Sequence, residues 1–121
     1  MIRYSEQNID HNDILNVTKT LKSNLITTGP QIPKFEKNLS KKINSKYCVV
    51  FNSATSALHS ACLALGLKKN DWLWTSANSF VASANCGLFC GAKIDFIDIE
   101  LETFNLDLQK LETKLKKAKK K

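Results

Sequence analysis

Between residues 46 and 99, short apolar β-rich runs alternate with longer runs of small residues, and no other feature of the chain restricts its fold as much. Residues 46–51 (Lys-Tyr-Cys-Val-Val-Phe), 71–76 (Asp-Trp-Leu-Trp-Thr-Ser) and 93–99 (Lys-Ile-Asp-Phe-Ile-Asp-Ile) have the length and composition of strands. The first is apolar on both faces, as strands buried in a parallel sheet are. The stretches between them, about 54–65 and 80–90, carry few polar residues, and Gly66 and Gly91 stop them as helices. Strand, helix, strand, helix, strand predicts an α/β fold with a mainly parallel sheet and flanking helices. The helix over 54–65 is apolar nearly all round, interrupted by Ser56, His59 and Ser60, which predicts a helix packed between the sheet and other protein.

Upstream, Asp10 or Asn12 caps a helix with Ile14, Leu15, Val17 and Leu21 near helical spacing. Gly29-Pro30 breaks the chain, and a second helix follows with Phe35, Leu39 and Ile43 four apart. Beyond the third strand, Leu106, Leu108, Leu111 and Leu115 predict a last helix, whose lysines read as a solvated end suited to the negative pole of the helix dipole. The chain divides into a helical segment, 1–45, and a partial α/β domain, 46–121. With 121 residues and three strands, the sheet keeps two open edges, which predicts a piece of a larger enzyme.

The formal charge of +7 is local. Six of the 18 basic residues are Lys114, Lys116, Lys117, Lys119, Lys120 and Lys121, and without them 12 basic residues face 11 acidic ones. A nucleic-acid footprint spreads basic residues over a face, so nucleic acid is not expected as a partner. No apolar run reaches the length of a membrane span, which predicts a soluble, cytoplasmic protein. Cys48, Cys62, Cys86 and Cys90 sit in apolar runs without metal or disulfide spacing, so they read as buried, reduced hydrophobes and no metal is expected.

The junction after the first strand reads Asn52-Ser53-Ala54-Thr55-Ser56-Ala57-Leu58. It points the first backbone N–H groups of a helix, with several hydroxyls, at one spot suited to a phosphate, or else merely caps the helix. After the second strand, Ser76, Asn78, Ser79 and Phe80 form a loop on the same side of a parallel sheet, where α/β proteins place ligands. Phe80 either covers a flat ring or begins the core face of its helix. Trp72 and Trp74 share one strand face and read as packing, and His59 reads as structural. Neither a Walker motif nor a Gly-x-Gly-x-x-Gly fingerprint occurs.

Together with Gly91-Ala92 and Phe96-Ile97-Asp98-Ile99, the segments 52–58 and 75–85 resemble the DegT/DnrJ/StrS sugar aminotransferases, pyridoxal-phosphate enzymes of the aspartate aminotransferase fold (fold type I). The resemblance runs in order through essentially the whole chain. It implies that Ser53, Ala54 and Thr55 hold the cofactor phosphate and that Phe80 stacks on the pyridine ring. It makes Tyr4, Asn24, Leu25, Ile26 and Thr27 candidate contacts to a nucleotide-sugar. The likeness is strongest to members that aminate C4 of a UDP-linked 4-keto-6-deoxy sugar with glutamate as donor, acting as homodimers. It also implies that the Schiff-base lysine and the aspartate facing the pyridine nitrogen lie beyond Lys121, leaving no catalytic residue here and an inactive N-terminal third. The alternatives are another aminotransferase or dehydratase of the family, or a non-catalytic module with a basic tail.

Overall fold

A computed structural model describes residues 5–118. The chain forms two compact units, one reaching Val50 and the other beginning at Phe51. The first holds α1 (His11–Leu21) and α2 (Gln31–Lys42). Asp10 caps α1 with a full capping box: its carboxylate accepts the Asp13 N–H, and the Asp13 carboxylate accepts the Asp10 N–H, both at 3.0 Å. Between the helices, Gly29 is required by a close approach, because a Cβ there would collide with the Leu25 carbonyl oxygen.

The expected first strand is not one. Residues 46–51 run without regular secondary structure and pair with nothing among the described residues, and Tyr47 and Val49 are exposed. A β-rich sequence becomes a strand only when a neighbour supplies its ladder bonds, and here the other two strands pair with each other. The Val50 N–H finds a side chain instead, donating to Glu36 at 2.9 Å.

The second unit holds α3 (Ala54–Ala64), β1 (Trp72–Ser76), α4 (Ala82–Phe89), β2 (Lys93–Ile97) and α5 (Leu108–Ala118). Its sheet is two-stranded and parallel, with Trp72 opposite Lys93 and Ser76 opposite Ile97. The third expected strand stops at Ile97; Ile99 instead forms an antiparallel bridge with Leu106, which delays α5 to Leu108. Gly66 (φ 79°) and Gly91 (φ 75°) take the left-handed conformation that ends α3 and α4. In each, the next N–H reaches back five residues, Leu67 to the Cys62 carbonyl and Ala92 to the Gly87 carbonyl, both at 3.0 Å.

Small residues form the core: Cys62, Ala82, Cys86, Ala92 and Ile97 are buried. α4 lies on the sheet with Gly87 against Leu73 and Ile94, where an added Cβ would stand 2.6 Å from Ile94 Cδ1 and 3.0 Å from Leu73 Cβ. α3 packs on α4, and His59 meets Phe89 edge to face at 5.3 Å. Leu63 of α3 and Leu65 just after it are exposed.

The lysines of α5 are more than a solvated end. Lys114 Nζ lies 5.2 Å above the Trp74 ring, pairs with Asp95 and donates to the Phe96 carbonyl at 2.8 Å. Lys110 pairs with Asp98 at 2.9 Å. These hydrogen bonds hold the Asp95 and Asp98 carboxyls below their ordinary value of 3.8, and the bond to Asp98 raises Lys110 above 10.5. Carboxyls that are more acidic folded than unfolded stabilise the fold above 3.8, and that contribution is lost as pH falls through the lower folded value. For Lys110 the contribution is complete below 10.5 and is lost as pH rises through the higher folded value.

Urea midpoints measured across the acid range should therefore fall below about pH 4, and Asp95→Asn with Asp98→Asn should flatten that fall. Gly87→Val should destabilise the unit by about 2 kcal/mol through overpacking, read as a lower urea midpoint at unchanged m-value.

Candidate functional site

The start of α3 is built by its own sequence. Ser53 is extended (φ −157°, ψ 155°) and caps the helix, its Oγ accepting the Ser56 N–H at 3.2 Å and lying 3.0 Å from Ser56 Oγ. The Ala57 N–H donates to the Ser53 carbonyl. That leaves the N–H groups of Ala54 and Thr55, the first two of the helix, without an acceptor among the described residues, and the Thr55 hydroxyl without a partner. Ser53 and Ala54 are exposed and Thr55 is half-buried.

The three expected phosphate residues therefore divide by role. Ser53 spends its hydroxyl on the helix cap, while Ala54 and Thr55 present free donors. The capping reading holds, and the cap leaves two N–H groups unused. Ser56, one of the hydroxyls of the junction, is drawn into the cap through both its N–H and its Oγ.

Phe80 lies in the loop between β1 and α4, not on the helix. Its carbonyl accepts the Ser83 N–H at 2.9 Å, which fixes its backbone, while the residue is 75% exposed. Among the described residues Phe80 is therefore not on the buried face of α4, which is Ala82, Cys86 and Gly87. The loop is braced by Ser79 Oγ and Ser83 Oγ at 2.8 Å and by the Asn78 N–H donating to Ser76 Oγ at 3.3 Å.

Asn24, Leu25, Ile26 and Thr27 form the connection between α1 and α2 in the first unit. Leu25 and Ile26 are 60% and 66% exposed, and Ser23 Oγ donates to the carbonyls of Thr20 at 2.7 Å and Leu25 at 3.3 Å. Thr28 follows at a φ of 50°. Tyr4 lies outside the described residues.

Among the described residues no group of three or more potential ligands could hold a metal ion, and no helix is long and apolar enough to cross a membrane. All four cysteines are free thiols. Burial, with a hydrogen bond to Cys86, pushes the Cys62 thiol up to about 11. Cys62 thus belongs to the α3–α4 contact and is a poor nucleophile near neutral pH.

Residues 7–121 match the DegT/DnrJ/EryC1/StrS aminotransferase family. The chain is 48% identical, over 97% of its length, to the UDP-4-amino-4,6-dideoxy-N-acetyl-beta-L-altrosamine transaminase of Campylobacter jejuni, of which it spans 31%. Its fold superposes on Spr1654 of Streptococcus pneumoniae, solved in its PLP form, with a TM-score of 0.87 and 33% identity, covering 93% of this chain and 29% of that one. The Escherichia coli GDP-4-keto-6-deoxy-D-mannose-3-dehydratase with bound hydrated PLP gives 0.85 at 26% identity, covering 93% and 31%.

Iodoacetamide at pH 8 should label Cys48 and Cys90 well before Cys62 and Cys86, with the buried pair reacting only once urea is added, as read by peptide mass mapping.

Proposed function

The chain belongs to the DegT/DnrJ/EryC1/StrS aminotransferase family, and from that premise we propose that it forms the N-terminal part of an enzyme that aminates C4 of a UDP-linked 4-keto-6-deoxy-N-acetyl sugar. The 48% identity to the Campylobacter jejuni transaminase supports this substrate class over the other sugars handled in the family. Glutamate is the amino donor, and the complete enzyme works as a cytoplasmic homodimer, as the resemblance implies. The product would feed the synthesis of a surface amino sugar of the pseudaminic acid type. In this reading a helical segment is separated from the cofactor-binding domain at about residue 45, five residues before the boundary between the two compact units at Val50 and Phe51.

The observation that carries the proposal is the pair of free N–H groups on Ala54 and Thr55, in the same unit as the exposed Phe80. Two unpartnered donors and a free hydroxyl at a helix start fit a phosphate, and the exposed ring fits a flat heterocycle. Pyridoxal phosphate, when bound, supplies the electron sink on which an amino group is carried between donor and acceptor. Ala54 and Thr55 would hold its phosphate through their N–H groups and the Thr55 hydroxyl, while Ser53 keeps the helix start rigid. Phe80 would cover one face of the ring and keep water from it. The Schiff-base lysine and the aspartate facing the pyridine nitrogen would come from sequence beyond Lys121, and Asn24 to Thr27, with Tyr4, would contact the nucleotide-sugar.

Two measurements test this. Ala54→Pro removes one donor at the first helical position, where proline is well tolerated and follows the extended Ser53. It should weaken binding of pyridoxal phosphate and of inorganic phosphate alike, by about tenfold, without loss of helical circular dichroism. Unchanged binding would refute the cup. Separately, the coding sequence should continue past Lys121, in one of its three frames, into a lysine-bearing and an aspartate-bearing strand, and the full product should convert glutamate to 2-oxoglutarate with the UDP-ketosugar and not with its GDP counterpart. The 121-residue chain alone should show no transamination.

A further inference from the structure

An exposed ring is not held by packing, so the place of Phe80 has to come from its backbone; its neighbours Ser79 and Val81 are exposed as well. The loop from Ala77 to Val81 is anchored at both ends. At one, the Ala77 N–H donates to the Ile97 carbonyl of β2 at 2.9 Å, and at the other Ala82 is buried at the start of α4. Between these anchors, the hydrogen bonds that Ser79 and Phe80 make among the described residues go to one residue, Ser83. Its Oγ lies 2.8 Å from Ser79 Oγ, and its N–H donates to the Phe80 carbonyl at 2.9 Å. Ser83 is itself held, since it is half-buried in the first turn of α4 and its carbonyl accepts the thiol of the buried Cys86 at 3.4 Å.

The two bonds differ in kind. The one from the Ser83 N–H belongs to the backbone, and any residue but proline at this position could make it. The one from the hydroxyl depends on the side chain, and it ties the residue before Phe80 to the helix. Together they grip the chain on both sides of the Phe80 Cα, from a residue anchored toward the core.

We propose that Ser83 is a positioning residue, whose hydroxyl holds Phe80 where its ring can cover the flat face of the cofactor; this rests on the cofactor reading above. Ser83 acts through Ser79 and Phe80 and does not touch the ligand. A ring that covers a ligand contributes most when its backbone is fixed before the ligand arrives. The donors of Ala54 and Thr55 belong to another helix start, so loss of the Ser83 hydroxyl weakens the ring contact and spares the phosphate contact.

Titration of the 121-residue chain with pyridoxamine 5′-phosphate, which lacks the aldehyde that would react with surface lysines, and with inorganic phosphate tests it. Ser83→Ala and Ser79→Ala should each weaken pyridoxamine 5′-phosphate binding about threefold, with inorganic phosphate binding unchanged. Ser83→Thr, which keeps the hydroxyl, should bind like the parent chain. In a Phe80→Ala background, Ser83→Ala should cause no further loss. Without ligand, NMR order parameters of the Ser79 and Phe80 amides should fall in Ser83→Ala. The proposal is overturned by equal weakening of both ligands, by unchanged order parameters, or by the same loss with and without the Phe80 ring. If Phe80→Ala itself leaves pyridoxamine 5′-phosphate binding unchanged, the cofactor reading of the ring fails and this proposal with it. If Phe80→Ala weakens binding and the serine variants do not, this proposal fails alone.

Discussion

Gly87 sets how closely α4 can lie on the sheet, and the second unit is arranged around that distance. With hydrogen in place of a side chain, the helix rests directly on Leu73 of β1 and Ile94 of β2, and so bridges the two strands it connects. A parallel pair of five-residue strands has little stability of its own, and the helix across it supplies the apolar cover. α3 is carried in turn on α4, through Cys62, Cys86 and the His59–Phe89 contact. The free donors of Ala54 and Thr55 thus owe their position to a packing contact made by another helix.

Local signals in the sequence were the ones that could be read. The stops of α3 and α4 were visible because glycine takes the left-handed conformation at little cost, and Gly66 and Gly91 both adopt it. The cap of α1 was narrowed to Asp10 or Asn12, and the reciprocal bonds with Asp13 decide for Asp10. The strand expected at 46–51 failed because pairing is not local: Tyr-Cys-Val-Val-Phe states a preference, and the partner decides. The shortened last strand failed likewise, since Ile99 is claimed by Leu106. At the candidate site, Ser53, Ala54 and Thr55 could be picked out by their place at a helix start and Phe80 by its place after a strand, but how Ser53 divides its bonds from its neighbours could not.

The lysines of α5 show the difference between composition and placement. Counted in the sequence, they suggest a basic tail available to acidic partners. In the structure, Lys110 and Lys114 reach back to Asp98 and Asp95 and tie the helix to β2, with Trp74 beneath Lys114. Lys116 is spent on Glu112 within the same helix, at 2.7 Å. Exposed ion pairs of this kind contribute little to stability one by one, but they fix which face of α5 meets the sheet.

The unpaired run at 47–51 has a colloidal consequence. It is an aromatic, a cysteine, two valines and a second aromatic, without charge or proline, and its backbone has no ladder partner among the described residues. That combination is a template for intermolecular cross-β association, with Lys46 as the nearest charged gatekeeper. At high concentration, self-association nucleated here would compete with the ordered fold, and the chain's shelf life in solution would depend on how many molecules present this one short edge.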